Sequence, residues 1–346
     1  MTAPQRNIWS RAAHRDFGRL IEPNGDVLTI AVVNNMPDSA LRAAERQFCA
    51  LLGAASGGRL LKLQFFSLPG IKRSTTAGEH VARYYEEFAE LQRNPPDGII
   101  VTGTEPRAAT LQQEPYWPTM AWLVDWAEEL AIPGIWSCLA AHAAVLRLDN
   151  IQRQAFANKL LGVFECKIND GSHRLLQGLP ERWHVPHSRH YGLSETALVS
   201  HGYNILSRSA ETGPDIFIKR RRGLQLFFQG HPEYSPSSLL GEYRRDIARF
   251  LNGERNTYPD MPRHYFDPST VPALESFRER AQRLKSSEML AELDALVAKV
   301  SPKNGWFDTA DLIYANWLSY LTDCKLQRLL DSKFLNDRGR SIDLAA

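Results

Sequence analysis

Short apolar runs alternate with helix-like segments through the first half of the chain, and this alternation constrains the fold more than any other feature. Residues 27–33 (VLTIAVV) read as a strand, Asn34-Asn35-Met36-Pro37 as a loop, and residues 40–52 (ALRAAERQFCALL) as a helix. Residues 60–66 (LLKLQFF) are a second strand, 80–91 a helix, 98–102 (GIIVT) a third strand, and 117–131 an aromatic-rich helix before the apolar run at Ile132. Strands separated by helices do not pair as hairpins, so the pattern predicts an α/β domain with a parallel sheet wound by crossovers. Shorter runs at 204–207, 215–219 and 224–228 extend that sheet. A chain of 346 residues with 43% hydrophobic content can bury the core this requires.

The ligand site of such a sheet lies beyond the carboxyl ends of its strands, so the loops after Val33, Thr102 and Ser137 should meet there. One of them carries Cys138, where the run Ile132-Pro133-Gly134-Ile135-Trp136-Ser137 breaks into the small-residue stretch Leu139-Ala140-Ala141-His142-Ala143-Ala144-Val145. A strand turning sharply into a helix presents its corner residue, and the first free N–H groups of the helix favour a thiolate. Gly230-His231-Pro232-Glu233-Tyr234 ends the last strand at the same rim. His231 reads as a base and Glu233 as the carboxylate that fixes its tautomer, completing a Cys138, His231, Glu233 set suited to acyl transfer. The alternative for Cys138 is a buried core cysteine. His142 reads as a helix residue packed under the loop rather than as the base.

Charge and cysteine use exclude several classes. The 41 basic and 39 acidic residues leave a net charge of +2, which favours neither nucleic acid nor an anionic membrane. Cys49, Cys138, Cys166 and Cys324 are widely spread, with no CxxC pair or zinc-type spacing, so neither a disulfide framework nor a structural metal is expected. No segment resembles a signal peptide, and none reaches the roughly 18 apolar residues of a membrane span, so a soluble cytoplasmic protein is expected. The basic run Lys219-Arg220-Arg221-Arg222-Gly223 reads as a solvated hairpin turn. Residues 274–300 form a charged amphipathic helix that lies on the domain or on a partner subunit, residues 310–321 a last apolar helix, and the tail after Leu330 is polar and loose.

Many short blocks, in order, resemble the homoserine O-acyltransferase family, which activates homoserine for methionine synthesis and is similar in fold to class I glutamine amidotransferases. They are Asn35-Met36-Pro37, Ser74-Thr75-Thr76-Ala77, Asp97-Gly98-Ile99-Ile100-Val101-Thr102-Gly103, Tyr116-Trp117, Lys159-Leu160-Leu161-Gly162-Val163-Phe164-Glu165, Pro186-His187-Ser188-Arg189, Gly230-His231-Pro232-Glu233-Tyr234, Glu242-Tyr243-Arg244-Arg245-Asp246 and Asn316-Trp317-Leu318. The resemblance covers residues 27–266 and resumes near Asp311, leaving the 274–300 helix as an insertion. It implies a three-layer, parallel-sheet, glutamine amidotransferase-like (flavodoxin-like) domain over 27–269, an N-terminal arm over 1–26, a helical extension over 270–330 and a tail over 331–346.

The same resemblance places the acyl-thioester cysteine on Cys138, the base on His231 and its carboxylate on Glu233. It assigns substrate binding to Lys159, Ser188 and Arg245, the last as receptor for the amino-acid carboxylate. Read as residues alone, these three are a surface charge, a turn residue and part of a solvated helix face. The implied reaction moves an acyl group from succinyl-CoA or acetyl-CoA to the hydroxyl of L-homoserine through an acyl-Cys138, with backbone N–H groups near Leu139 stabilising the oxyanion, with no metal and no bound cofactor, in a homodimer. Departures from the family are Leu139-Ala140 after the nucleophile, Asn35 and Asp38 near the first strand, and Arg107 where the family has Gly or Glu. An arginine there suits a succinyl carboxylate, so a succinyl donor is expected. Serine as acceptor, a cysteine hydrolase or glutamine amidotransferase of the same fold, and an inactive scaffold are the competing readings.

Overall fold

The computed structural model describes residues 8–9, 27–298, 300 and 305–343, so most of the 1–26 arm expected from the sequence lies outside the described residues. Ten strands form one sheet: β1 (Ile8–Trp9), β2 (Val27–Val33), β3 (Leu60–Phe66), β4 (Gly98–Val101), β5 (Gly134–Ser137), β6 (Gln154–Ile168), β7 (Arg182–Gly192), β8 (Asn204–Ser209), β9 (Gly213–Arg220) and β10 (Leu224–Phe228). Their order is β1-β3-β2-β4-β5-β10-β9-β8-β6-β7. From β1 to β10 every pairing is parallel, and from β10 to β7 every pairing is antiparallel. The parallel half expected from the sequence is present, as are β8, β9 and β10. The long β6–β7 hairpin is not expected from it, because Gln154 to Asn158 are exposed and carry no apolar alternation.

Helices cover both faces of the parallel half. These are α1 (Asp38–Ala55), α2 (Thr75–Tyr84), α3 (Glu90–Arg93), α4 (Trp117–Glu129), α5 (Leu139–Asp149) and α6 (Glu195–Ser200), followed by α7 (Ser238–Leu251), α8 (Val271–Leu284), α9 (Leu290–Val297) and α10 (Phe307–Asp343). Alternate residues of β2 point to opposite sides, as a pleated strand requires. Leu28, Ile30 and Val32 pack with Phe48 and Leu52 of α1 and Trp317 and Leu321 of α10, whereas Ala31 and Val33 pack with Leu123 of α4 and Ala140 of α5. The result is the three-layer α/β arrangement.

Three expectations about helices change. Residues 80–91 do not form one helix: Tyr85 is extended, because its hydroxyl is drawn inward to donate to Glu45 while accepting from Asn34. The 274–300 segment breaks into α8 and α9 at Lys285, which has φ 41°, with Ser286 capping the turn that follows. Both pieces pack on the domain itself, where Leu274, Phe277, Ala281 and Leu293 join Tyr243, Ile247 and Phe250 of α7 in a separate apolar cluster. Beyond Leu330 the backbone stays helical to Asp343 instead of loosening. Straight-chain helix formers fill 325–330 (KLQRLL), and no proline interrupts them.

The basic run does form the β9–β10 turn, and its charges are used internally. Lys219 and Arg221 both bind Asp149, Arg220 donates to Tyr320, and Arg222 donates to the carbonyl of Glu129.

Gly162 tests the packing of β6. Its φ is +151°, and a Cβ there would lie 2.4 Å from the Arg263 carbonyl oxygen, which accepts from Val163 N–H. Gly162→Ala should lower stability in urea unfolding by about 2–3 kcal/mol with an unchanged m-value. A change within experimental error would show that the 263 segment does not depend on this approach.

Candidate active site

Because β10 lies parallel to β5 with Phe228 opposite Ser137, the residues that follow the two strands emerge side by side. Cys138 N–H donates to the Phe228 carbonyl at 2.7 Å, which fixes the thiol beside the His231 loop. Cys138 has φ 52° and ψ −112°, a backbone that costs about 1–3 kcal/mol for a side chain with a Cβ. This is the sharp strand-to-helix corner expected from the sequence. The loops after β2 and β4 meet the same rim: Asn35 N–H donates to Thr102 Oγ1, and a Cβ on Gly103 would lie 3.0 Å from the backbone nitrogen of Leu139. Gly103 therefore leaves space in front of the first N–H of α5, one of the helix donors with no intrahelical partner.

His231 and Glu233 are both buried, and His231 Nδ1 lies 2.9 Å from Glu233 Oε1. Burial opposes a charged ring, but the charges of Glu233 and of the Cys138 thiolate, with hydrogen bonds to both, hold His231 well above its ordinary pKa. The Nδ1 contact leaves Nε2 for the sulfur. His142 behaves differently: it is buried against Gln229, and burial together with the charge of Arg189 pushes it down to about 3. It is a neutral packing residue, as expected.

A second cluster adjoins the first through Tyr234. The Tyr234 ring stacks on His231 with centroids 4.2 Å apart, and its hydroxyl donates to Glu242 at 2.7 Å. Glu242 also accepts from Lys159 at 3.1 Å and from Ser188 at 2.5 Å, while Asp246 accepts from Lys159 at 3.2 Å and from Arg245 at 3.2 Å. Burial would raise the Glu242 pKa, yet Lys159, Ser188, Tyr234 and Arg245 together hold it below the ordinary carboxylate value. Lys159, Ser188 and Arg245 are thus brought together, on two carboxylates whose role the sequence did not single out.

The family model described as homoserine O-succinyltransferase matches residues 17–327, a span that includes α8 and α9. A homoserine O-succinyltransferase of Rhodopseudomonas palustris is 46% identical over 293 residues, covering 84% of this chain and 87% of that protein. Another, of Bradyrhizobium japonicum, is 47% identical over 298 residues, covering 86% and 90%. The chain belongs to the homoserine O-succinyltransferase family. Among solved structures, a glutamine amidotransferase from Methylobacillus flagellatus is similar at 15% identity and a TM-score of 0.49, covering 85% of this chain and 94% of that one, too loose a likeness to bear on chemistry.

In this member of the homoserine O-succinyltransferase family, Arg107 is exposed and its side chain makes no ion pair among the described residues. Its backbone N–H and that of Ala108 are held by the buried Glu114 carboxylate at 2.5 and 2.6 Å. The departures at Asn35 and Asp38 have local uses. Asn35 joins the Leu68 and Thr102 segments, and Asp38 accepts from Arg73 and from the N–H of Ser74.

A further buried group lies behind His231. Cys166, His187 and Asp215 place their side-chain heteroatoms within 4.8 Å of one another, a grouping that no spacing in the sequence suggests. Asp215 accepts from Gly230 N–H at 3.2 Å and from Ser207 at 3.3 Å, and burial raises its pKa to about 6. Arg189, also buried, donates to His187, Gln229 and the carbonyls of Tyr191 and Thr212. These contacts brace the peptide that precedes His231.

The raised folded-state pKa of His231 contributes stability that is fully present below about pH 6.5, the ordinary histidine value, and is lost as pH rises through the raised one. Glu233→Gln should shift the His231 imidazole resonances to a lower titration midpoint in NMR. Its stability deficit relative to wild type should be largest in acid and shrink as pH rises. Unchanged His231 titration would show that Glu233 does not set the charge of the ring.

Proposed function

We propose that this protein is a homoserine O-succinyltransferase that moves the succinyl group of succinyl-CoA to the hydroxyl of L-homoserine through a thioester on Cys138, a step toward methionine. The observation that carries this reading is His231 held between Glu233 and Cys138 at one rim, in a chain matched by the family model from 17 to 327. Glu233 stabilises the positive ring of His231, which favours a charged imidazole beside the sulfur.

The thiolate attacks the thioester carbonyl of succinyl-CoA, and the developing oxyanion is received by the N–H of Leu139 in the space that Gly103 leaves. The tetrahedral adduct collapses, the bond to the sulfur of CoA breaks, and His231 gives its proton to that leaving thiolate. His231 is now neutral and acts as base for the second half. It takes the proton of the homoserine hydroxyl as that oxygen attacks the acyl-Cys138 carbonyl, and the cysteine leaves as the thiolate with which the cycle began.

Homoserine brings an ammonium and a carboxylate, and the second cluster holds both complements. Glu242 and Asp246 suit the ammonium, and Arg245 and Lys159 suit the carboxylate, with the planar guanidinium able to grip it through two hydrogen bonds. Ser188, bonded to Glu242, sets the position of that carboxylate. Tyr234 ties this cluster to the ring of His231, so acceptor binding and base placement depend on one side chain. No described helix is long and apolar enough to cross a membrane, in keeping with an enzyme that works on water-soluble substrates in the cytoplasm.

The test is CoA release followed with a thiol reagent in the presence of succinyl-CoA or acetyl-CoA, with homoserine, serine or no acceptor, alongside glutamate release from glutamine. Homoserine-dependent release from succinyl-CoA is expected, falling by roughly 10³-fold or more in Cys138→Ala. Glutamine hydrolysis without acyl transfer would replace this reading with a hydrolase.

A further inference from the structure

Most cations on the elements that build the site are committed among the described residues. Lys159 and Arg245 are paired with Glu242 and Asp246, Arg249 with Glu105, and Arg189 with four acceptors. Arg153, on the segment between α5 and β6, is half-buried and makes no ion pair or hydrogen bond among the described residues. Its guanidinium carbon lies over the Tyr191 ring, 3.8 Å from the centroid, and Tyr191 is fixed in turn by pairing with Ala155 and by Arg189 on its carbonyl.

Arg153 is joined to the reacting centre by a chain of contacts: Tyr191 beneath it offers its carbonyl to Arg189, which also donates to Gln229, the partner of His142 one turn from Cys138. Burial weakens its charge most, while Tyr191, Tyr116, Glu114 and the Cys138 thiolate act in the opposite sense, and Arg153 also acts on His142, one turn below Cys138. Tyr116 supplies a second donor. It is buried, its hydroxyl has no hydrogen-bond partner among the described residues, and it lies within the influence of Arg153. The neighbouring Glu114 carboxylate is occupied by the backbone N–H groups of Arg107 and Ala108.

We infer that Arg153, together with the Tyr116 hydroxyl, receives the free carboxylate of the succinyl group carried on Cys138. This deepens the proposed function and rests on it. A succinyl thioester places its free carboxylate two methylenes beyond the carbonyl, roughly 5–6 Å from sulfur by ordinary bond lengths. A half-buried guanidinium without an anionic partner is an unfavourable arrangement that a carboxylate relieves, and its planar fork donates to two carboxylate oxygens. An acetyl group is too short to reach it. Arg107, the donor-selecting position suggested by the family resemblance, is exposed and offers no such enclosure.

The test is single-turnover acylation of Cys138, quenched and read by intact mass, with succinyl-CoA and with butyryl-CoA, which replaces the carboxylate by a methyl group on a chain of equal length. Arg153→Gln should lower the succinyl-to-butyryl rate ratio by roughly 10–100-fold, with Arg153→Lys and Tyr116→Phe falling in between and Arg107→Gln leaving the ratio at the wild-type value. The inference is overturned if Arg153→Gln slows both donors equally, or if the ratio changes only in Arg107→Gln. Should Arg153→Gln fail to fold, Arg153→Lys and Tyr116→Phe decide by the same ratio. A wild-type enzyme that takes no acyl group from succinyl-CoA removes the proposed function itself, a result distinct from an acylated wild type whose variants keep its donor preference.

Discussion

The hydrogen bond from Cys138 N–H to the Phe228 carbonyl is the contact on which the site depends. It joins the end of β5 to the end of β10 at the point where Cys138 takes a left-handed φ of 52°, and so fixes thiol, imidazole and helix N-terminus in one place. The strained corner persists because its surroundings leave no alternative. β5 is buried throughout, and every residue of α5 from Leu139 to Leu146 is buried, so relaxing the turn would displace a packed helix. Strain of about 1–3 kcal/mol is small beside that packing.

The sheet order gives this contact its meaning. More than eighty residues separate β5 from β10 in the sequence, and the hairpins formed by β6 to β9 occupy that interval. By turning antiparallel after β10, the sheet carries Lys159 and Ser188 back toward the rim on β6 and β7, where α7 meets them with Glu242, Arg245 and Asp246. Two charge systems result, a His–Glu pair at the sulfur and an acid–base cluster whose paired charges complement the proposed zwitterionic acceptor, coupled through the stacked Tyr234 ring.

Legibility in the sequence followed the range of the interactions. The corner at Cys138 and the His231-Pro232-Glu233 segment were readable because each is local, as were β2 to β5, whose short apolar runs are largely buried on both faces. The β6–β7 hairpin was not, because its first residues are exposed and its pairing is set by partners far along the chain. Lys159, Ser188 and Arg245 carry no local pattern that distinguishes them from surface polar residues, and only the family resemblance singled them out. Their meeting on Glu242 and Asp246 spans 83 and 87 residues for the lysine alone. Arg153 sits in no motif, and its standing comes from what surrounds it: a ring beneath, an unpartnered hydroxyl nearby, and no competing acid in contact. The break at Lys285 was hidden because lysine is an ordinary helix residue until neighbouring packing forces it to a positive φ.

The central claim is that the acyl group rests on Cys138 between donor and acceptor. Peptide mapping by mass spectrometry, after wild type is mixed with succinyl-CoA and no homoserine, tests it most directly. The account predicts one succinyl thioester, confined to the peptide that contains Cys138 and discharged when homoserine is added. Full homoserine-dependent turnover with no acyl group on that peptide, or equal turnover by Cys138→Ala, would contradict it and point to direct transfer between the two substrates.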